Sequence, residues 1–325
     1  HDVSASLALK IYKQYGDAAL EIVRQDPYRL ARDIYGIGFI TADRIARKLG
    51  LPHDAPQRVQ AGVTYALAQR ADDGDVFVPQ NELIRQVAGL LEVEVSQMAE
   101  ALTALERERV IQRELLRDVR QDAGAPGMGR AEPAVYLAPF YQSEVGVASQ
   151  LRALLAAPPR AWPFSAGDDW SRLCREATGR EMAPLSPGQQ AGVRAALTEK
   201  VTVLTGGPGT GKTTTVRAIL RLAQARGLRC ALAAPTGRAA KRLSELTGQE
   251  ARTIHRLLEF SPQAGARFLR NADRPLDADL IIVDEASMLD LLLSHHLLRA
   301  IPPVSYTHLR AHETPEHLVC RLLLE

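Results

Sequence analysis

A glycine-rich stretch in the second half of the chain carries the residue types that hold a nucleotide phosphate. Residues 206–213 match the pattern G-x-x-x-x-G-K-[ST]. Glycines let successive backbone N–H groups converge on phosphate oxygens, and the positive end of a following helix adds to the attraction. In such a loop the Lys212 ammonium would reach the β- and γ-phosphates, and the Thr213 hydroxyl would bind Mg²⁺. The residues expected to contact the nucleotide here are Gly206, Gly207, Pro208, Gly209, Thr210, Gly211, Lys212, Thr213 and Thr214.

A pair of acids further along the chain supplies the second half of this chemistry. The apolar run Leu-Ile-Ile-Val at 280–283 ends in Asp284 and Glu285. In nucleotide hydrolysis one carboxylate anchors the metal ion and another group positions the attacking water. Asp284 fits the first role and Glu285 the second, so Lys212 and Glu285 are the candidate catalytic residues. A second acid after the aspartate favours a hydrolysing motor over a small-molecule kinase.

Alternating elements surround these motifs and must position them. Residues 201–205, 229–234 and 280–284 have the apolar, β-branched character of buried strands. Helical patterns cover 212–225 and 237–246 between them. Strands that alternate with helices predict a parallel sheet with crossover helices, an α/β architecture that carries the phosphate loop (P-loop) of an ATPase.

The N-terminal region has a different pattern, in which short helices flank a glycine turn. A helix is predicted from Ser4 to Tyr15, and Tyr-Gly-Ile-Gly-Phe at 35–39 precedes a helix that we expect Thr41 to cap. The pattern resembles a helix-hairpin-helix, whose glycine turn offers backbone N–H groups to DNA phosphates. Gly36 and Gly38 are therefore candidate DNA contacts.

A mostly helical segment follows, with short strands near its ends. Its pattern of helices and a two-stranded wing predicts a winged-helix-like unit. The predicted elements are helices at 59–68, 81–91 and 95–108, and strands at 76–78, 110–111 and 135–137, with a glycine-rich loop at 123–129.

Charge and composition limit the class of protein. The 325 residues carry a formal net charge of +2 and are 46% hydrophobic, which describes an ordinary globular protein. Three scattered cysteines argue against a disulfide framework, and the absence of a long apolar run or signal peptide predicts a cytoplasmic protein without a membrane span. Residues 194–256 nevertheless hold twelve Lys or Arg against three acids, and residues 24–48 hold six against three. The excess positive charge of both stretches would attract the phosphate backbone of a nucleic acid.

Five motifs occur in an order that resembles the superfamily 1 DNA helicases of the RecD-like group. They are Leu-Ser-Pro-Gly-Gln at 185–189, the phosphate loop, Ala-Pro-Thr-Gly-Arg-Ala-Ala at 234–240, Thr-Ile-His-Arg-Leu-Leu at 253–258 and Asp-Glu-Ala-Ser-Met at 284–288. The resemblance implies that Gln189 contacts the adenine and that Thr236, Arg238 and His255 lie along single-stranded DNA. It also implies 5′ to 3′ movement on that strand with ATP and Mg²⁺ as cofactors. The run Asp-Pro-Tyr-Arg-Leu at 26–30 resembles the same group.

The resemblance covers roughly residues 2–303 and suggests how the chain divides. The expected divisions are a helix-hairpin-helix region at 1–55, a winged-helix-like region at 56–140, a connector at 141–184, an incomplete first RecA-like domain at 185–303 and a tail of unassigned, non-native character at 304–325. The group uses a second RecA-like domain with an arginine finger, which we do not find in this sequence. We therefore expect a fragment that binds nucleotide weakly and has little unwinding activity.

Other interpretations remain open at this stage. The chain could be a non-motor DNA-binding module whose affinity is switched by nucleotide, whereas an AAA+-type assembly ATPase would need a helical lid and sensor arginine that are not visible. A zinc site at His308 and His312 is not expected, because Pro315 would break the helix that they need. The leading interpretation gives single-stranded DNA and single-/double-strand junctions as partners, with a role in DNA repair and recombination, and leaves protein partners unknown.

Overall fold

The computed structural model describes residues 5–115, 132–157, 162–179, 182–207, 209–263 and 265–302, together with the backbone of 306–310. The chain divides into two compact units, His1–Gln142 and Ser143–Glu325. The first unit is mainly helical, and the second contains a parallel sheet.

Short helices and one glycine turn build the start of the first unit. They are α1 (Ala5–Tyr15), a 3₁₀ turn (Gly16–Ala18), α2 (Ala19–Gln25), α3 (Arg29–Asp33) and α4 (Phe39–Lys48). The prediction that Thr41 caps α4 is wrong, because the helix begins three residues earlier with Gly38 as its N-cap. Gly38 has an extended backbone, and its carbonyl accepts hydrogen bonds from the N–H groups of Thr41 and Ala42. Thr41 therefore lies inside the first turn.

A buried ion pair fastens the hairpin region to the helix that follows, α5 (Pro56–Asp72). The Arg58 side chain is only 4% exposed, and its Nε lies 2.8 Å from Asp43 Oδ1. Tyr28 donates a hydrogen bond of 2.7 Å to the same carboxylate oxygen. Arg58 Nη1 donates to the carbonyls of His53 and Leu91 at 2.8 and 2.9 Å. The guanidinium thus pairs with a carboxylate and donates to two backbone carbonyls at once.

The rest of the first unit has the element order of a winged helix. After α5 come β1 (Val78–Pro79), α6 (Gln80–Leu91), α7 (Ser96–Arg107), β2 (Ile111–Leu115) and β3 (Pro133–Leu137). Strands β2 and β3 pair antiparallel, and β1 joins the other side of β3. The sheet has three strands where the sequence predicted a two-stranded wing, because the segment before α6 also pairs. The predicted loop at 123–129 lies outside the described residues.

The second unit begins within α8 (Ala138–Ala156) and is organised around a five-stranded sheet. Its elements are α9 (Trp170–Thr178), α10 (Pro187–Thr198), β4 (Val201–Leu204), α11 (Lys212–Ala225), β5 (Cys230–Ala234), α12 (Gly237–Thr247), β6 (Ala251–Thr253), α13 (Ile254–Leu257), β7 (Phe260–Ser261), β8 (Arg267–Phe268), β9 (Leu280–Val283), a 3₁₀ turn (Ala286–Met288), α14 (Leu291–Ala300) and β10 (Tyr306–Arg310). The sheet order is β4-β10-β9-β5-β6, and every pair in it is parallel. The predicted α/β architecture is confirmed.

Two predicted boundaries differ from this arrangement. The stretch predicted as a connector contains α9, whose Trp170, Leu173 and Cys174 are buried in the same core as the sheet. The sheet also extends past residue 303, because β10 pairs with β4 on one side and β9 on the other. Backbone hydrogen bonding drives this placement, since β4 and β9 would otherwise leave facing N–H and C=O groups unpaired. The non-native origin of residues 304–325 stays a prediction.

Candidate functional site

The phosphate loop connects β4 to α11 through a backbone that requires glycine at several positions. Gly206, Gly209 and Gly211 have φ values of 154°, 76° and 80°, in a region that L-residues rarely adopt. A Cβ on Gly206 would lie 2.9 Å from Thr210 Oγ1, so space is short there as well. The predicted loop residue Pro208 lies outside the described residues. The glycines shape the turn that delivers the chain into the first turn of α11.

Two polar side chains of this site donate hydrogen bonds to the same loop carbonyl. Lys212 is buried, and its Nζ donates a hydrogen bond of 3.1 Å to the Gly207 carbonyl. Thr210 Oγ1 donates to the same carbonyl at 2.9 Å. Thr213 and Thr214 follow on the first turn of α11. A buried ammonium at the N-terminus of a helix is an arrangement that binds phosphate oxygens.

Gln189 joins the start of α10 to this loop. Ser186 caps α10 in a capping box: its hydroxyl accepts from the Gln189 N–H at 3.3 Å, and Gln189 Oε1 accepts from the Ser186 N–H at 2.9 Å. Gln189 Nε2 also donates to the Thr210 carbonyl at 3.0 Å. A Cβ on Gly211 would overlap this amide nitrogen, so only glycine lets the side chain approach. The adenine contact expected of Gln189 stays a prediction.

The acid pair lies at the same edge of the sheet as the loop. In the sheet register Leu204 pairs with Arg310, and Val283 pairs with Leu309. Strands β4 and β9 therefore end level with each other on either side of β10, which places them about 10 Å apart. The loop leaves one strand and Asp284 follows the other. This edge brings together the residues that the sequence analysis assigned to phosphate and metal.

Asp284 and Glu285 are held in distinct conformations. Asp284 is buried, and its Oδ1 accepts a hydrogen bond of 3.0 Å from the Glu285 N–H. Glu285 has a left-handed backbone with φ of 56°, which costs a non-glycine residue of order 1 kcal/mol or more. Its carbonyl accepts from the Met288 N–H at 3.0 Å and starts the following 3₁₀ turn. This turn directs the chain away from the sheet directly after the acid pair.

Two capped helices begin at the ends of the neighbouring strands and carry the predicted DNA contacts. Thr236 caps α12 by accepting from the Ala239 N–H at 3.2 Å, and Thr253 caps α13 by accepting from the Arg256 N–H at 3.3 Å. Ala234 and Thr253 are paired in the sheet, so both helix N-termini lie at one edge. Arg238 and His255 follow in these helices and are exposed. Thr236, Arg238 and His255 are thus brought to the same edge.

A cleft lined by basic side chains lies next to these helices. Its volume is about 530 Å³, and Lys241, Arg252 and Arg256 line it together with Gly237. Arg252 pairs with the exposed Glu250 at 2.9 Å, which also lines the cleft. The sequence analysis did not single out these three cations. The excess of basic residues over 194–256 was the signal that could have found them.

Aromatic rings surround His255, which the sequence analysis also did not anticipate. The ring centroids of His255 lie 5.6 Å from Phe260 and 5.5 Å from Phe268. Strands β7 and β8 form an antiparallel pair in which Phe260 is opposite Phe268, with ring centroids 5.1 Å apart. Phe268 also packs on His296 of α14 at 4.7 Å. The three-dimensional fold, and not sequence spacing, assembles this cluster.

In the glycine hairpin of the first unit, exposed residues lie between two buried isoleucines. Ile34 and Ile37 are buried, and the Ile37 N–H donates to the Ile34 carbonyl at 3.1 Å, which closes the turn. Gly36 has φ of 85°, and Tyr35 beside it is fully exposed. Lys10 Nζ lies 3.2 Å from the place that a Cβ on Gly36 would take. The hairpin therefore combines open backbone with a nearby cation that the sequence analysis did not name.

The winged-helix-like part has the opposite charge. Residues 56–115 contain ten Asp or Glu against six Arg and no Lys. Three of these arginines are committed to ion pairs: Arg58 with Asp43, Arg70 with Asp75, and Arg113 with Glu106. The long helix α7 exposes Glu100 on its solvent side. An acidic surface of this kind repels a phosphate backbone.

Two further properties concern metal ions and membranes. Within the described ranges, no group of three or more His, Cys, Asp or Glu side chains could hold a metal ion. His312 lies outside those ranges, and only the backbone of His308 is described. No helix in the described part of the chain has the length and apolar character required to span a bilayer.

Comparison with known proteins identifies relatives for both units. Residues 1–77 match the family model described as the ATP-dependent RecD2 DNA helicase HHH domain, and residues 189–311 match the model described as the AAA domain. The chain is 38% identical over 300 residues to the ATP-dependent RecD2 DNA helicase of Deinococcus radiodurans, an alignment that covers 91% of this chain and 39% of the relative. It is 40% identical over 192 residues to the RecBCD enzyme subunit RecD of Mycolicibacterium smegmatis, covering 52% of this chain and 32% of that one. It is also 40% identical over 105 residues to the ATP-dependent DNA helicase dda of Enterobacteria phage T4, covering 31% and 24%.

Proposed function

Because the chain belongs to the RecD-like family of DNA helicases, we propose that it supplies the hairpin region and first motor domain of an ATP-dependent DNA helicase. The chain spans about two fifths of the RecD2 relative that it matches. The proposed activity is 5′ to 3′ movement on single-stranded DNA, driven by ATP hydrolysis, in DNA repair and recombination.

The proposed nucleotide site uses the loop between β4 and α11. The loop amides and Lys212 bind the phosphates, and Lys212 leaves the Gly207 carbonyl to do so. The Thr213 hydroxyl and the Asp284 carboxylate are hard oxygen ligands of the kind that Mg²⁺ accepts, so this pair fits the ion. When bound, the ion neutralises phosphate charge. Glu285 accepts a proton from the attacking water and orients it.

The proposed DNA path runs along the C-terminal edge of the sheet. Backbone N–H groups at the starts of α12 and α13 donate to phosphate oxygens, and the cations of the basic cleft neutralise the charge of the phosphate backbone. Arg238 and His255 extend from these helices as exposed contacts. The glycine hairpin, through Gly36 and Gly38, binds the backbone on the duplex side of a single-/double-strand junction.

The observation that carries this proposal is the common sheet edge shared by the phosphate loop, the acid pair and the two capped helices. The test is ATP hydrolysis by the purified chain with and without single-stranded DNA. We expect slow hydrolysis that DNA stimulates, that Glu285→Gln abolishes, and that is accompanied by little duplex unwinding. Hydrolysis unaffected by Glu285→Gln would contradict the proposed role of this acid. Nucleotide-dependent DNA affinity without any hydrolysis would support the non-motor module instead.

A further inference from the structure

A row of five rings joins the proposed DNA path to the helix that follows the acid pair. This ring cluster consists of His255, Phe260, Phe268, His295 and His296. His255, Phe260 and Phe268 contact one another, with ring centroids 5.1 to 5.6 Å apart. Phe268 then contacts His296 at 4.7 Å, and His296 contacts His295 at 5.9 Å. The cluster begins at the exposed His255 and ends on α14, so it connects two elements that are distant in sequence.

His255, the end of the cluster on the proposed DNA path, is packed against Phe268 at its centre. His255 lies in α13, a helix of a single turn. Ile254, the first residue of this helix, and Leu258, which follows its last residue, are fully buried. These two side chains share a core with Leu293 and Leu297 of α14. A ligand that reorients His255 would therefore act on Phe268 through ring contact and on α14 through the same packed core.

The other end of the cluster lies on α14, and a short segment connects the start of α14 to the acid pair of the proposed nucleotide site. Asp290 caps α14 by accepting from the Leu293 N–H at 2.7 Å. Four residues, those of the 3₁₀ turn and Leu289, separate this cap from Glu285, which has a strained left-handed backbone and is the N-cap of that turn. A small displacement or rotation of α14 therefore changes where the Glu285 carboxylate lies.

The far side of α14 is held in place by a separate contact. His295 Nδ1 and the buried Ser143 Oγ of α8 lie 3.2 Å apart. The His295 ring also packs so closely on Gly146 that a Cβ at that position would overlap it. With one histidine fixed on α8 and the other on Phe268, the orientation of α14 depends on the hairpin that carries Phe268.

We infer that Phe268 and His296 are positioning residues that couple occupancy of the DNA path to the geometry of the Asp284–Glu285 pair. The inference rests on the proposed function, since it requires DNA at His255 and nucleotide at the loop. Neither Phe268 nor His296 belongs to the phosphate loop or to the acid pair. They act by setting the orientation of α14, and they make the affinity for nucleotide depend on bound DNA.

The test measures this dependence directly. The dissociation constant of a fluorescent N-methylanthraniloyl ATP analogue is measured for the full chain with and without saturating oligothymidine. We expect DNA to tighten nucleotide binding about fivefold or more in the wild-type chain, which is the low end of typical coupling between two sites. Phe268→Leu and His296→Leu, which keep apolar volume but remove the ring, should each reduce the change to within about twofold of no coupling.

Matched variants separate coupling from a loss of stability. His296→Phe keeps a ring and should retain the coupling, whereas His296→Leu should lose it at a similar thermal midpoint. Phe164→Leu removes a buried ring from the core around α9, outside the cluster, and should leave the coupling intact. Wild-type binding of both ligands with no coupling between them, or full coupling in Phe268→Leu, would overturn the inference and leave the proposed function standing. Failure of the wild-type chain to bind either ligand would overturn both.

Discussion

The Gln189 side chain donates a hydrogen bond of 3.0 Å to the Thr210 carbonyl and so attaches the capping box of α10 to the phosphate loop. One amide group therefore serves two structures. Its oxygen completes a helix cap, and its nitrogen fixes the loop that leads into α11.

Removal of this amide tests both roles. Gln189→Ala should lower the stability of the second unit by about 1 kcal/mol through the lost cap, and should also weaken nucleotide binding because the loop loses its tie. Ser186→Ala removes only the cap. It should cost similar stability but leave the affinity for the ATP analogue unchanged, as measured by thermal unfolding and fluorescence titration. Equal nucleotide affinities in Gln189→Ala and the wild type would contradict a role of the Gln189–Thr210 hydrogen bond in nucleotide binding.

Lys212 is the residue on which phosphate binding should depend most strongly. Lys212→Ala removes the buried ammonium that now contacts the Gly207 carbonyl, and nucleotide binding should fall below detection in the same titration. Lys241→Ala removes an exposed ammonium on α12 and is the matched control, with unchanged nucleotide affinity. DNA affinity should fall in the control, because Lys241 lines the basic cleft. Nucleotide binding that survives in Lys212→Ala would place the phosphate site elsewhere.

The Arg58–Asp43 pair should dominate the stability of the first unit. Arg58→Met leaves the Asp43 carboxylate, which is 14% exposed, without its cation, and the loss of one partner of a largely buried pair costs about 3 to 5 kcal/mol. Urea unfolding followed by circular dichroism measures it. Arg85→Met, at an exposed position on α6, should change the free energy of unfolding by less than about 0.5 kcal/mol. The double variant Arg58→Met with Asp43→Asn should recover part of the loss, since it removes the unpaired charge.

The stability of the second unit should fall in mild acid. Burial lowers the pKa of His295 and of His296, and the positive charge of Arg299 lowers both further. In the unfolded chain these histidines take up protons near their usual pKa of about 6.5, whereas the folded chain does so only at lower pH. The free energy of unfolding should therefore decrease as the pH falls below about 6.5, until the lowered folded-state pKa values are passed.

Variants isolate the histidine contribution to this pH dependence. Replacement of both residues by asparagine should reduce the difference between the thermal midpoints at neutral and mildly acidic pH. His53→Gln changes an exposed histidine of the first unit and should leave the difference as it is in the wild type. An identical pH dependence in the double asparagine variant would assign the effect to other groups.

DNA binding by the first unit should depend on the hairpin and not on α7. Lys10→Ala should weaken binding of a junction oligonucleotide and lower the slope of log affinity against log salt by about 1, as expected for one lost phosphate contact. Glu100→Gln removes an exposed acid from α7 and should leave affinity unchanged or slightly higher. Fluorescence anisotropy over a salt series measures both. A loss of affinity in Glu100→Gln would place DNA against α7.

The parts of the site that are local in sequence could be predicted from it. The phosphate loop and the acid pair are contiguous motifs at strand ends, and the alternation of strands and helices required a parallel sheet that orders them on one edge. The family expectation rested on such motifs and is confirmed. Cap assignment was less reliable: Thr41 is a common capping residue, but Gly38 adopts the extended backbone that starts the helix earlier.

Features that depend on tertiary contact could not be predicted in this way. Arg58 and Asp43 are 15 positions apart on different helices, and no local pattern marks them as partners. The contact between Phe268 and His296 likewise exists only once β8 and α14 pack. Strand β10 has no apolar run of its own, so its place in the sheet follows from the pairing needs of its neighbours.

The position of β10 also has a consequence for folding during synthesis. Among the strands that the structure describes, β4, which leads into the phosphate loop, pairs with β10 alone. The ribosome makes β4 about a hundred residues before the strand that it needs. In this chain β5, β6 and β9 can therefore pair with one another before β4 does, and β4 joins the parallel sheet once a strand occupies the position between β4 and β9.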